Sequence, residues 1–225
     1  MNAVEIKQRN LERAQLLREK NPFILTNELV YQLMLEDIVA CRLEPGEKLR
    51  EEQCAELYGC SRSTIRKIFN RLVDEDWLDR SESHRIRIRE ISLESHMETM
   101  EFRLAVEPAA ARLAARCRTR EKLKTIEQCV RQCDTTDVYQ LYVSDLEFHR
   151  AILDACRNRY LISAYKLVDL YMLRAKLYTA ADFEDVCKEC YQEHLQIYEA
   201  IKARDEAAAY RLAKQHIKMM LDAKV

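Results

Sequence analysis

Glycine and proline are nearly absent, at two and three of 225 residues. Hairpins and long loops lean on those residues, so their scarcity excludes a loop-rich β fold and predicts helices joined by short connections. A charge excess is missing as well. Thirty-seven basic side chains face thirty-eight acidic ones, for a net charge of −1. Any nucleic-acid surface must therefore be local. No apolar run is long enough to span a bilayer, and the first residues are charged and polar, unlike a signal segment. A cytoplasmic protein with no membrane partner is expected. Cysteine is not scarce, with nine residues. The number is odd, and Cys117, Cys129, Cys133 and Cys156 fall inside helical patterns. They read as reduced thiols filling cores. Cys187-x-x-Cys190 lacks a second pair and sits in a charged helical segment, so it reads as coincidence.

Hydrophobic residues make up 48% of the chain, enough for one large domain or two modest ones. The most informative stretch is 59–72, GCSRSTIRKIFNRL. Ser61 can cap a helix, because its oxygen accepts from backbone N–H groups in the first turn. Ile65, Ile68, Phe69 and Leu72 recur at three- and four-residue spacing and form one apolar stripe. Arg62, Arg66, Lys67 and Arg71 carry the charge, with no acid among them. Such a helix suits a DNA major groove, although a solvated amphipathic helix fits the isolated stretch equally well.

Residues 1–24 are expected to be an arm, mobile or partly helical, ending near Asn21-Pro22. A helix is expected over 26–40, with Thr26 as cap and Leu29, Leu33, Ile38 and Val39 buried. Glu44-Pro45-Gly46-Glu47 is a turn. A second helix spans 51–58, with Cys54, Ala55 and Leu57 inward, and Gly59 ends it. Beyond the third helix, Arg85, Arg87 and Arg89 alternate with Ile86 and Ile88, the period of a strand with one apolar face. Two short strands near 77–80 and 85–90 complete a winged helix-turn-helix over 25–91.

The residues PGEKLREEQCAELYGCSRSTIRKIFNRL make this part resemble the DNA-binding domain of the GntR family of bacterial repressors. The resemblance implies that Arg62 and Arg66 reach into the major groove and that Arg50 approaches the backbone or a base edge. It makes the wing, over 83–87 with Arg85 and Arg87, a minor-groove or backbone contact. Ser61, Ser63 and Thr64 can donate to phosphates and set register. The chain departs from the family pattern at Lys67, where Glu is usual, and at Asp76 and Arg85, where Gly is usual.

From Leu93 the helical period runs nearly to the end, with helices expected at about 94–117, 120–133, 137–156, 158–180, 182–203 and 205–222. Pro108 predicts a kink or restart in the first of these. Ala109, Ala110, Ala111, Ala114 and Ala115 permit close helix approach. The fold class is thus mainly α: an N-terminal winged helix-turn-helix, then an all-α antiparallel bundle over 92–225. Asp145 precedes His149 by four residues, so both point the same way on a helix. With His194 and His216 they can surround one divalent cation, zinc first, with nickel, manganese or iron as alternatives. Taken singly, each histidine reads more readily as an ordinary surface or core residue than as a ligand.

FRLAVEPAAARLAA, DLEFHRAILDACRN and EHLQIYEAIKARDEAAAYRLAKQHI resemble the FCD effector domain of the FadR branch of GntR regulators. In its metal-binding members the resemblance implies Asp145, His149, His194 and His216 as ligands. It also implies that a small carboxylic acid takes a free metal position, with Arg103 as a second anchor. A surface salt bridge from Arg103 to Glu107 is the alternative. Arg174 and Tyr178 are further pocket candidates, chosen for helix position.

Two functions follow. One is a ligand-responsive transcription regulator, a homodimer on palindromic operator DNA. The other is a metal-dependent hydrolase, with Glu147 or Glu193 as general base. Against the second, catalytic zinc usually has three protein ligands, and a basic helix-turn-helix would be left without a role. A thiol redox sensor is a third, weaker reading.

Overall fold

A computed structural model describes residues 3–81, 85–131, 138–179 and 184–222. The chain divides into two compact units, Met1–Ile91 and Ser92–Val225. Among the described residues no helix is long and apolar enough to cross a membrane.

The first unit opens with α1 (Ala3–Lys20), so the expected arm is a single helix. It packs on α2 (Thr26–Val39) and α3 (Glu51–Tyr58). Ile6 and Asn10 are buried, whereas Leu11 and Leu16 face out. Arg9 of α1 pairs with Asp37 of α2. Asp37 is 1% exposed and also accepts from Tyr58 Oη at 2.8 Å and Arg42 Nε at 2.9 Å. Burial raises its pKa above the ordinary value, although these donors pull the other way. Thr26 does not cap α2: the N-cap position is Leu25, with no side-chain bond. In α3 the buried residues are Cys54 and Tyr58 rather than Ala55 and Leu57.

Gly59 ends α3 at φ 63°, ψ 41°, the left-handed region that a Cβ disfavours. Ser61 then caps α4 (Arg62–Asp74), its Oγ accepting from Thr64 N at 3.1 Å. The apolar stripe Ile65, Ile68, Phe69 and Leu72 is buried with Leu29, Leu33, Met34 and Ile38. Asp76, at the family's glycine position, has φ 63° and so keeps the left-handed turn, a conformation Asp tolerates better than most residues. A three-stranded antiparallel sheet follows in the order β1 (Lys48–Leu49), β3 (Ile86–Ile88), β2 (Leu78–Arg80). Leu49 pairs with Ile86, and Asp79 with Arg87. Ile86 and Ile88 point into the core and Arg87 outward, as their alternation requires. The expected wing tip, 82–84 with Ser83, lies outside the described residues.

The second unit is an antiparallel bundle of α5 (Leu93–Cys117), α6 (Arg120–Arg131), α7 (Val138–Ala155), α8 (Arg159–Tyr165), α9 (Asp169–Thr179), α10 (Glu184–Ala203) and α11 (Glu206–Asp222). Ser92 and Ser95 form a reciprocal capping box at the start of α5. The helix does not restart at Pro108. It lies against α7, α10 and α11, and Ala110, Ala111, Ala114 and Ala115 are buried there. The helix expected over 158–180 is two. Leu167 N bonds to Ala164 O and Val168 N to Tyr165 O, a tightened turn that ends α8. Asp169 then opens α9, its buried carboxylate held by Arg150 Nε at 2.7 Å.

Candidate functional site

The basic face of α4 comes first. With its stripe buried, Arg62 and Arg66 are 62% and 67% exposed. Ser61, Ser63, Lys67, Arg50, Arg85 and Arg87 are exposed too, and Thr64 is half-buried. Ser61 Oγ lies 2.8 Å from the hydroxyls of both Ser63 and Thr64. The two arginines are already engaged: Arg66 Nε and Nη2 each donate to Glu51 at 2.8 Å, and Arg62 donates to Glu52. The Arg66 hydrogen bond lowers the Glu51 pKa. The sequence reading missed both acids, although each lies beside Arg50 in the same motif.

The second feature is buried in the helical unit. Asp145 and His149 come from α7, His194 from α10 and His216 from α11, and one ligand atom of each lies within 4.8 Å of all the others. The three Nε2 atoms face one another, with His216 at 3.3 Å from His194 and 3.4 Å from His149. Asp145 Oδ1 is 3.8 Å from His149 Nε2 and 3.6 Å from His194 Nε2. Two ligands each about 2.1 Å from an ion sit about 3.0 Å apart at right angles and about 3.4 Å apart at the tetrahedral angle, and a six-coordinate ion on these four would keep further places open. The donor set and its spacing therefore fit a small divalent cation.

The far side of each ring is fixed as well. Glu107 Oε2 accepts from His149 Nδ1 at 2.8 Å, and Glu193 Oε2 from His216 Nδ1 at 2.6 Å. Each carboxylate holds a proton on Nδ1 and turns the Nε2 lone pair inward, the usual support of a metal-binding histidine. Phe148 stacks on His194 with ring centres 4.0 Å apart. Burial, above all, keeps His194 and His216 below the ordinary imidazole pKa, so both stay neutral and able to ligate. Burial also lowers His149, but Glu107 and Asp145 outweigh it and the net direction is up. Burial likewise opposes ionised Asp145, yet Lys176 and the imidazoles hold its pKa well below the carboxylate range.

Arg103 is part of this cluster. It is 1% exposed, pairs with Glu107, and its Nη2 lies 3.2 Å from His149 Nε2. The alternative of a surface ion pair is thus corrected to a buried one. Arg174 is fully buried and Tyr178 56% exposed, and neither lines the clefts beside the histidines. One cleft is lined by Arg103, Tyr142, Asp145, Tyr165 and Lys176, the other by Glu107, Ala111, Ile152, Ile197 and Ala213. Each has a volume of about 10 Å³, room for about one water. Lys176, missed in the sequence, donates to Asp145 Oδ2 at 2.5 Å. Glu147, considered as a base, is exposed.

The FCD domain model matches residues 98–219, and the model for bacterial regulatory proteins of the gntR family matches 26–88. The HTH-type transcriptional repressor RspR of Escherichia coli is 23% identical over 201 residues, 88% of each chain. Among solved structures, Escherichia coli McbR/YncC superposes with a TM-score of 0.74 at 18% identity, over 89% of this chain and 97% of that one. A GntR transcriptional regulator from a Rhodococcus species superposes with a TM-score of 0.73 at 18% identity, over 88% and 99%.

Proposed function

The chain belongs to the gntR family of bacterial regulatory proteins and carries an FCD domain, and on that premise we propose that it is a metal-dependent, carboxylate-responsive DNA-binding regulator. The observation that carries the metal reading is the convergence of Asp145 Oδ1 with three imidazole Nε2 atoms, two of them backed by carboxylates. A transition metal there, zinc first, supplies a Lewis-acid position for an oxygen of a small carboxylic acid. Arg103 lines the adjoining cleft with Lys176, so the wall facing such an acid is cationic. The residues of the DNA-reading surface are Arg62, Arg66 and Lys67 on α4, with Ser61, Ser63 and Thr64 on phosphates and Arg50, Arg85 and Arg87 at its margins. The working form is a homodimer on a palindromic operator in the cytoplasm, because a two-fold pair of recognition helices reads two half-sites.

The family consists of transcription regulators, which decides against the hydrolase. Its two proposed bases are also committed or remote: Glu193 holds His216, and Glu147 faces away. The test is elemental analysis of purified protein, with operator affinity measured with and without chelator across a panel of small carboxylates. Bound metal in about one equivalent, and an affinity that shifts with one acid only when metal is present, is the expected result. A metal-free protein whose operator affinity ignores both chelator and acids would overturn it.

A further inference from the structure

The two oxygens of Asp145 face different partners. Oδ1 is turned toward His149 and His194. Oδ2 is held by Lys176 Nζ at 2.5 Å, with both side chains only 14–15% exposed. Lys176 comes from α9, which supplies none of the converging ligand atoms. Its ammonium also faces the Tyr142 ring at 5.7 Å, on the wall of the water-sized cleft shared with Arg103.

We infer that Lys176 is a positioning residue that restricts Asp145 to one bond with a bound metal and so reserves a coordination place for an effector oxygen. The inference rests on the metal reading above. A carboxylate beside a divalent cation can give one oxygen or two. An ammonium hydrogen-bonded to Oδ2 removes the second, and its charge weakens the metal's hold on the first. Lys176 thus lowers metal affinity and keeps a position open. That position would be open to a water or to the oxygen of an acid, and Arg103 and Lys176, which line the cleft beside it, suit an anion.

Full-length protein loaded with Mn²⁺ provides the test, because electron paramagnetic resonance counts the free Mn²⁺, which gives the bound fraction, and proton relaxation reports the exchangeable waters of the bound ion. In the wild type, relaxation should show at least one exchangeable water, and acetate should displace it. Lys176→Met should bind Mn²⁺ about tenfold more tightly, because a like charge beside the ion is gone, and should lose one exchangeable water, so that its relaxation and its response to acetate fall, since Asp145 takes that place with its second oxygen. Lys176→Arg, which keeps a cation on Oδ2, should behave like the wild type. Equal affinity and relaxation in wild type and Lys176→Met would overturn the inference while leaving the metal reading intact. So would a loaded wild type with no exchangeable water, which needs no variant and holds even if Lys176→Met does not fold. A wild type that takes up neither Mn²⁺, Zn²⁺ nor Ni²⁺ would instead end the metal reading itself.

Discussion

Glu193 Oε2 and His216 Nδ1 are 2.6 Å apart, so a residue next to one proposed ligand, His194, orients another. Replacing Glu193 with Gln keeps the shape but removes the charge that fixes the ring tautomer. Metal affinity should fall about 10- to 100-fold. Competition with a chromophoric chelator measures it, and ¹⁵N resonances of His216 should show the Nδ1–H form losing its dominance. Unchanged affinity would mean that packing alone orients the ring.

Glu107 lies between Arg103 and His149, with all three side chains at most 5% exposed. Burial raises its pKa, but Arg103 and His149 outweigh that, and the net direction is well down from the ordinary 4.5. The sign follows from the direction. A carboxylate depressed in the folded state stabilises the protein above its unfolded pKa, and that stability is lost as pH falls through and below it. Metal-free protein should therefore melt at a falling temperature below about pH 4.5, followed by circular dichroism. Glu107→Ala leaves a buried guanidinium without its partner and should cost about 3–5 kcal/mol.

The parts legible in the sequence were those written at short range. The stripe from Ile65 to Leu72, the Ser61 cap and the Gly59 stop depend on neighbours within one or two turns. The ligand set came from resemblance, because spacing places only Asp145 and His149 on one face. Arg103 and Glu107 could be paired at (i, i+4), but whether that pair was buried could not, since α11 and α7 close over it. Lys176 gave no signal: its partner is thirty-one positions away. The break at 166–168 went unseen because apolar periodicity continues across it, whereas Asp169 is fixed by a tertiary bond to Arg150.

The Ser61 cap supports a local prediction. Ser61→Ala removes the acceptor for Thr64 N and should cost about 1 kcal/mol. Trp77 is the only tryptophan and lies in the first unit, so urea unfolding followed by its fluorescence reports that unit alone. A midpoint equal to wild type would mean that the Ser63 and Thr64 hydroxyls take over the cap.

Arg66 donates two bonds to Glu51, and Arg62 one to Glu52, so each guanidinium proposed to read DNA would have to exchange a carboxylate for its target. A guanine edge offers two acceptors to the same fork and can replace Glu51 in kind, whereas an isolated phosphate without that fit replaces it less completely. Arg66→Ala and Arg62→Ala should each weaken operator binding about 10- to 100-fold, with a smaller loss on unrelated DNA. Glu51→Gln should act the other way. By freeing the guanidinium it should tighten binding to unrelated DNA more than to the operator, and steepen the dependence of affinity on salt because phosphate contacts gain weight. Fluorescence anisotropy on operator and scrambled duplexes over a salt series measures both terms. An equal change on the two duplexes would show that Glu51 affects only bulk charge, and undiminished operator binding by Arg66→Ala would remove α4 as the reading helix.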